Sequence, residues 1–425
     1  MKEALLHYIW RTRQFDLSQL KTTDGQGLQI QHFGSLNQQA GPDFFNARIY
    51  IDQILWAGNV EMHVKASDWD QHRHSKDRAY DNVILHVVYQ EDMPIFDHNH
   101  QRIPCLELRG RIHSHLLHSY QRLQATKEWI PCANQLSQVS PLSRNLWLER
   151  LMVERLESKT VEMAHTLAAS KDDWEGIFYR FLCRGFGMRT NVPLFDQLAL
   201  SLPLPILQRH KHNLLQLEAL LFGQAGFLRP QWRDEYPRKL QQEYRLLQSK
   251  YQLTPLSAVG WKFSRMRPAG FPTVRIAQLA ALLFQSEDLF GKILASANAK
   301  EIEHLFEQKP SRYWQTHYRF DRLSVKKSKP MGRSAIQVII INIIAPMLFL
   351  YGRRQADDGY TQQAMQLLES LPRESNGDIQ RWKSLGVQAD SAFQTQALLQ
   401  LKRQYCDRHR CLECAIGHQI LKDQK

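Results

Sequence analysis

Apolar positions in residues 3–14 recur at helical spacing, with Leu5, Leu6, Ile9 and Trp10 on one side, so the chain is expected to open with a short amphipathic helix. The period then changes to two. Runs at 27–33, 45–51, 54–65, 83–89 and 104–108, bounded by polar and turn-forming residues, read as strands. Asp52-Gln53 leaves room only for a tight connection, which predicts a hairpin between the second and third runs. The polar stretch 66–81 joins the third run to the fourth and is long enough for a helix or an ordered loop. Helix, three strands, crossover and strand is the order of an α+β domain of about a hundred residues.

After Trp129-Ile130-Pro131 the strand signals stop, and the period is helical nearly to the end. Helices are expected over 143–169, with Ser143 as N-cap, and over 173–184, 205–222, 236–251, 273–284, 333–355, 361–371 and 392–405. No fixed-period repeat is present, which removes the main support for a solenoid. The expected organisation is therefore a small α+β domain of αβββαβ type over 1–125 and a large all-α region over 126–425. The longest apolar run, 336–351, contains Gln337, Asn342 and Pro346 and falls short of the roughly 20 residues a bilayer requires, so it is read as a buried helix and no membrane partner is expected. Lys326-Lys327-Ser328-Lys329 ahead of it reads as a solvated basic linker.

Composition adds three constraints. A chain of 425 residues, 43% apolar and 23% charged, has the make-up of a folded protein with more than one core. Residues 1–16 mix charge with apolar positions and lack the apolar core of an export signal, which points to the cytoplasm. A formal charge of +13 favours a polyanionic partner, nucleic acid above all, because Lys and Arg release counterions from phosphates on binding.

The most informative stretch is a turn into a strand, Gly41-Pro42-Asp43-Phe44-Phe45-Asn46-Ala47, followed by Gly58-Asn59-Val60-Glu61-Met62-His63-Val64-Lys65. Side chains alternate along a strand, so Glu61, His63 and Lys65 project together while Val60, Met62 and Val64 face the other way. An ordinary surface strand shows the same alternation. Asp43 distinguishes this one, since a hairpin brings it toward Glu61. Two converging carboxylates repel unless a cation joins them, and together they can hold Mg2+ or Mn2+ and position a water for attack. On this reading Lys65 stabilises charge on a phosphate, and His63 serves as base or further ligand.

This arrangement resembles the PD-(D/E)XK nuclease superfamily, whose motif sets a Pro-Asp at the start of one strand and an acidic-X-Lys triplet on the next. Pro42-Asp43 and Glu61 match, whereas His63 stands where Lys is expected and Lys65 lies one alternation further on. The resemblance implies a metal-dependent nuclease, Mg2+-dependent in type, acting on DNA or RNA, with Asp43, Glu61, His63 and Lys65 as catalytic residues. The His63 departure leaves the alternative of an inactive nucleic-acid-binding or assembly protein built on a nuclease-like core. A helical scaffold for a protein partner, its charge incidental, is the third reading. Over nearly its whole length, through Ala40 to Ala47, Tyr80 to Val88 and Phe222 to Phe227, the chain also resembles the bacterial family called domain of unknown function 2851, which implies no activity.

His72-Arg73-His74 has the His-X-His spacing of metallo-β-lactamase-like hydrolases but lacks the Asp-His pair that should follow, so these residues are expected at most to border the Asp43 site. Asp97-His98-Asn99-His100 is read as a loop, and His86, inside an apolar run, as a hydrogen-bonded core histidine. Six cysteines without an export signal favour free thiols or a metal over disulfides. Cys406, Cys411 and Cys414 can chelate one soft metal, with Cys132, Cys183, His409 or His418 as candidate fourth ligand and Cys132 placed to tie the C-terminal segment back. Zinc is one occupant. An iron–sulfur cluster is the other, since some nucleases of the resembled superfamily pair one separate cysteine with a C-terminal group of three.

Overall fold

The computed structural model describes residues 1–422. They form two compact units, one of Met1–Trp147 with the segment from Leu401 onward and one of Leu148–Gln400. The C-terminal segment thus belongs with the N-terminal unit, an arrangement that a single boundary at 125 does not describe.

In the first unit, α1 (Glu3–Thr12) buries Leu5, Leu6, Ile9 and Trp10. Six strands follow: β1 (Leu28–His32), β2 (Ser35–Leu36), β3 (Phe44–Ile51), β4 (Ile54–Lys65), β5 (Val83–Gln90) and β6 (Cys105–Glu107). Their order is β1-β3-β4-β5-β6, with the short β2 also on β3. β3 and β4 are antiparallel through a turn in which Asp52 (φ 45°) and Gln53 (φ 68°) are both left-handed, the requirement of a tight primed hairpin. β5 runs parallel to β4 and therefore needs a crossover. The polar stretch between them supplies it as three short helical turns, Asp68–Gln71, His74–Lys76 and Arg78–Tyr80.

The crossover seats Trp69 in a core with Ala66, Val88, Ile95, Ile103 and Cys105. Consequently β4 is covered on both sides where it meets β5, and Val60, Glu61, Met62 and His63 are all buried. After β6, α2 (Ser114–Ala125) leads toward a 3-10 turn, Ala133–Gln138.

The second unit is helical apart from a two-stranded ribbon, His317–Arg319 with Arg322–Leu323, so the all-α expectation is corrected at that point. The helix expected at 205–222 is divided into Leu204–Gln208 and Leu214–Gln224, because the Asn213 side chain accepts the Gln216 N–H and starts a new helix. The apolar segment forms one helical run, Arg333–Gln355, with a π turn at Ile340–Ile344. Pro346 offers no N–H to the preceding turn, and the Ile341 carbonyl accepts from Lys159 Nζ at 3.3 Å instead. By length and composition this run is apolar enough to cross a membrane, but 72% of its apolar window is buried inside the protein, as a core helix would be. Lys329, expected in a solvated linker, is buried and donates to the carbonyls of Trp314 (2.6 Å) and Gln315 (2.8 Å), so the basic segment ends in a structural staple.

Gly58 holds β4 against the end of the crossover. A Cβ there would lie 2.4 Å from Ile84 Cγ2 and 2.6 Å from the Asn82 carbonyl oxygen, which already accepts the Asn59 N–H. Gly58→Ala is expected to destabilise the first unit by about 1–3 kcal/mol, read as a lower urea midpoint with an unchanged slope.

A candidate metal centre in the N-terminal unit

Hydrogen bonding across β3 and β4 holds the two carboxylates reciprocally. Asp43 N–H donates to Glu61 Oε2 and Met62 N–H donates to Asp43 Oδ2, both at 3.0 Å. A one-residue bulge between Phe44 and Ala47, with Asn46 at φ 60°, bends β3 opposite Asn59, just beyond this clasp. The remaining oxygen, Glu61 Oε1, faces imidazoles: His74 Nε2 at 3.4 Å and His63 Nε2 at 3.7 Å. From α1, His7 Nε2 lies 3.1 Å from Asp43 Oδ2. Neither His74 Nε2 nor His7 Nε2, both buried, is aligned to make a hydrogen bond.

Behind His63 stands His86, opposite Glu61 in the parallel register. His86 Nε2 is 2.8 Å from His63 Nδ1, so His86 is the hydrogen-bonded core histidine that its apolar surroundings suggested. On the solvent side His72 Nδ1 is 3.1 Å from His63 Nε2. One nitrogen each of His63, His72 and His74 falls within a 4.8 Å span. Donors about 2.1 Å from one tetrahedral ion stand about 3.4 Å apart, so the three nitrogens would draw together by roughly 1 Å on binding.

Burial and charge act together on these groups. Glu61 is pushed up to about 9, first by burial and then by Asp43 and Glu3, so in the metal-free protein it holds a proton at neutral pH. Burial, then the neighbouring His74 and His72, depresses His63 to about 3. His86 and His74 are also depressed, chiefly by burial. These imidazoles are neutral, the form that ligates metals. The donor set of neutral imidazoles and a crowded carboxylate fits a divalent cation, which would offset the repulsion and desolvation of the carboxylates.

Of the four residues expected here, Asp43, Glu61 and His63 come together. Lys65 does not join them. The chain turns into the crossover at that position, Lys65 N–H donates to Asp68 Oδ2, and its exposed side chain lies within electrostatic reach of Asp92. Alternation along β4 gave the face correctly but not where the covered part of that face ends. Glu3 and His7 were missed, although their i, i+4 spacing puts them on one stripe of α1. His72 and His74 border the site as their place after the Lys65 strand suggested, and they bring ligand atoms to it. Elsewhere in this unit Cys132, Cys406, Cys411 and Cys414 line one small pocket.

The raised Glu61 makes a signed prediction. Below pH 4.5 both folded and unfolded chains carry its proton. Between 4.5 and about 9 only the folded chain keeps it, so this contribution to stability declines as pH rises through that window. His63 acts oppositely between about 3 and 6.5. Glu61→Gln cannot ionise, so in chelator its Tm should gain on the wild type between about pH 5.5 and about pH 8.5. A constant difference in thermal scans would contradict the raised carboxyl.

Among known proteins, no curated sequence and no solved structure matches this chain. Residues 3–377 match the family described as protein of unknown function, DUF2851. That match covers most of the chain, ending before the segment from Leu401 onward, and the protein belongs to the DUF2851 family.

Proposed function

We propose that the first unit is a metal-dependent phosphodiesterase acting on nucleic acid, with Glu61, His63, His72 and His74 as metal ligands and Asp43 beside them. The observation that carries this reading is the convergence of three imidazole nitrogens and a buried carboxylate at one spot on β4 and its crossover. Pro42-Asp43 directly before β3 and Glu61 on the adjacent antiparallel β4, followed by a crossover to a parallel strand, support the nuclease type. The +13 charge of the chain suits a polyanionic substrate.

The nitrogen-rich donor set favours Mn2+, Fe2+ or Zn2+ over Mg2+, which prefers oxygen ligands. Such an ion would lower the pKa of a bound water and offset charge on the phosphate. Asp43 orients Glu61 through the clasp across β3 and β4. His86 holds the His63 ring from behind, leaving Nε2 turned toward the site.

The position of Lys65 favours a second reading, in which the unit binds nucleic acid without cutting it. The two separate on labelled single- and double-stranded DNA and RNA incubated with Mg2+, Mn2+ or Zn2+. Metal-dependent cleavage that His63→Ala abolishes, with binding kept, is the expected result. Binding without cleavage in every metal would leave the second reading, and neither binding nor cleavage at low salt would remove both. For the metal itself, titration calorimetry on His86→Phe should show affinity lower by about 10–100-fold, the usual effect of losing the group that orients a ligating imidazole.

A further inference from the structure

The chain carries a second cluster whose chemistry the first site does not use. Cys132 caps the 3-10 turn Ala133–Gln138, Cys406 ends the π turn Leu401–Cys406, and Cys411 opens the turn Cys411–Glu413 with Cys414 directly after it. All four are buried free thiols lining one pocket. The other candidate partners are accounted for. His418 Nδ1 bonds Tyr8 Oη at 2.7 Å, His409 is exposed in a left-handed turn, and Cys183 belongs to the second unit.

The peptide N–H groups of Ile416 and Gly417 lie toward the sulfur of Cys414. Gly417 makes the approach possible, since a Cβ there would sit 2.1 Å from the Cys411 carbonyl oxygen. Hydrogen bonds to sulfur stabilise a metal-bound thiolate. Arg410 lines the same pocket, and Lys402 lies within electrostatic reach of Cys406, so cations stand beside the cluster.

We propose that Cys132, Cys406, Cys411 and Cys414 together bind one soft metal centre, a zinc ion or an iron–sulfur cluster, through four thiolates. Binding releases the four thiol protons to solvent and changes no oxidation state of the cysteines. The centre joins the segment from Leu401 onward to residues that follow α2, so the return of the chain to the first unit is secured by the ligands it shares. Four thiolates select against Mn2+ and Mg2+, whereas zinc suits both donor sets.

The test uses the full chain, purified without oxygen, in a His63→Ala/His72→Ala background that removes the first site. Metal and acid-labile sulfide are measured per chain. Roughly one zinc without sulfide identifies the ion, and iron with matching sulfide and a visible absorption identifies the cluster. In either case Cys132→Ser should lower the content to background, and Cys183→Ser should leave it unchanged. Should Cys132→Ser fail to fold, cobalt(II) loading of the parent protein reads the ligands directly, with intense thiolate charge-transfer bands expected. Metal-free protein after reconstitution with zinc or with iron and sulfide, retention of the metal by folded Cys132→Ser, cobalt spectra of nitrogen and oxygen ligands alone, or disulfides in place of free thiols would each overturn the proposal.

Discussion

The first unit depends on how a carboxylate is kept inside it. Glu61 is 5% exposed and lies beside Asp43 and Glu3, so its ionisation is opposed by lost hydration and by like charge at once. Two hydrogen bonds across β3 and β4 hold the carboxylates in place without neutralising either. His63 and His74 beside Glu61 are themselves held neutral by burial and by neighbouring imidazoles. Such a site is stable in two ways only, with the carboxyl protonated or with a cation among the ligands, and the sheet topology is what enforces the choice. Because β4 pairs in parallel with β5, a crossover must pass over it, and that crossover both buries Glu61 and delivers His72 and His74.

Much of this was legible in the sequence, for identifiable reasons. Alternation along β4 is strict, so Glu61 and His63 on one face followed from spacing alone, and the short Asp52-Gln53 link fixed the hairpin that brings Asp43 to them. Lys65 failed because a period of two assigns faces and says nothing about the end of a covered surface. His72 and His74 sit in short irregular turns, where no period exists to aim a side chain. The contribution of α1 was hidden for another reason: its apolar stripe announces the core, while the value of Glu3 and His7 depends on which strand that helix packs against. Loop breaks in the second unit follow the same division. Pro346 is a visible cause of a helix irregularity, but the end of one helix before Asn213 depends on a cap that reads equally well as an ordinary helical position.

The two clusters of the first unit are separated by chemistry as well as by sequence. One offers imidazole and carboxylate, the other thiolate, and these donor classes discriminate among metals by softness more reliably than by raw affinity. Their positions differ in consequence. The imidazole cluster includes His72, exposed to solvent, whereas all four thiols are buried. An open site and a closed one in the same unit also differ in what they do to the fold. A metal held by the closed cluster, as proposed, would tie a chain segment down, while removing Glu61 from the open one relieves a buried carboxyl that the metal-free fold must keep protonated. At Glu61 the metal-free fold therefore gives up stability as pH rises, because a carboxyl that must stay protonated inside the protein is free to ionise once the chain unfolds.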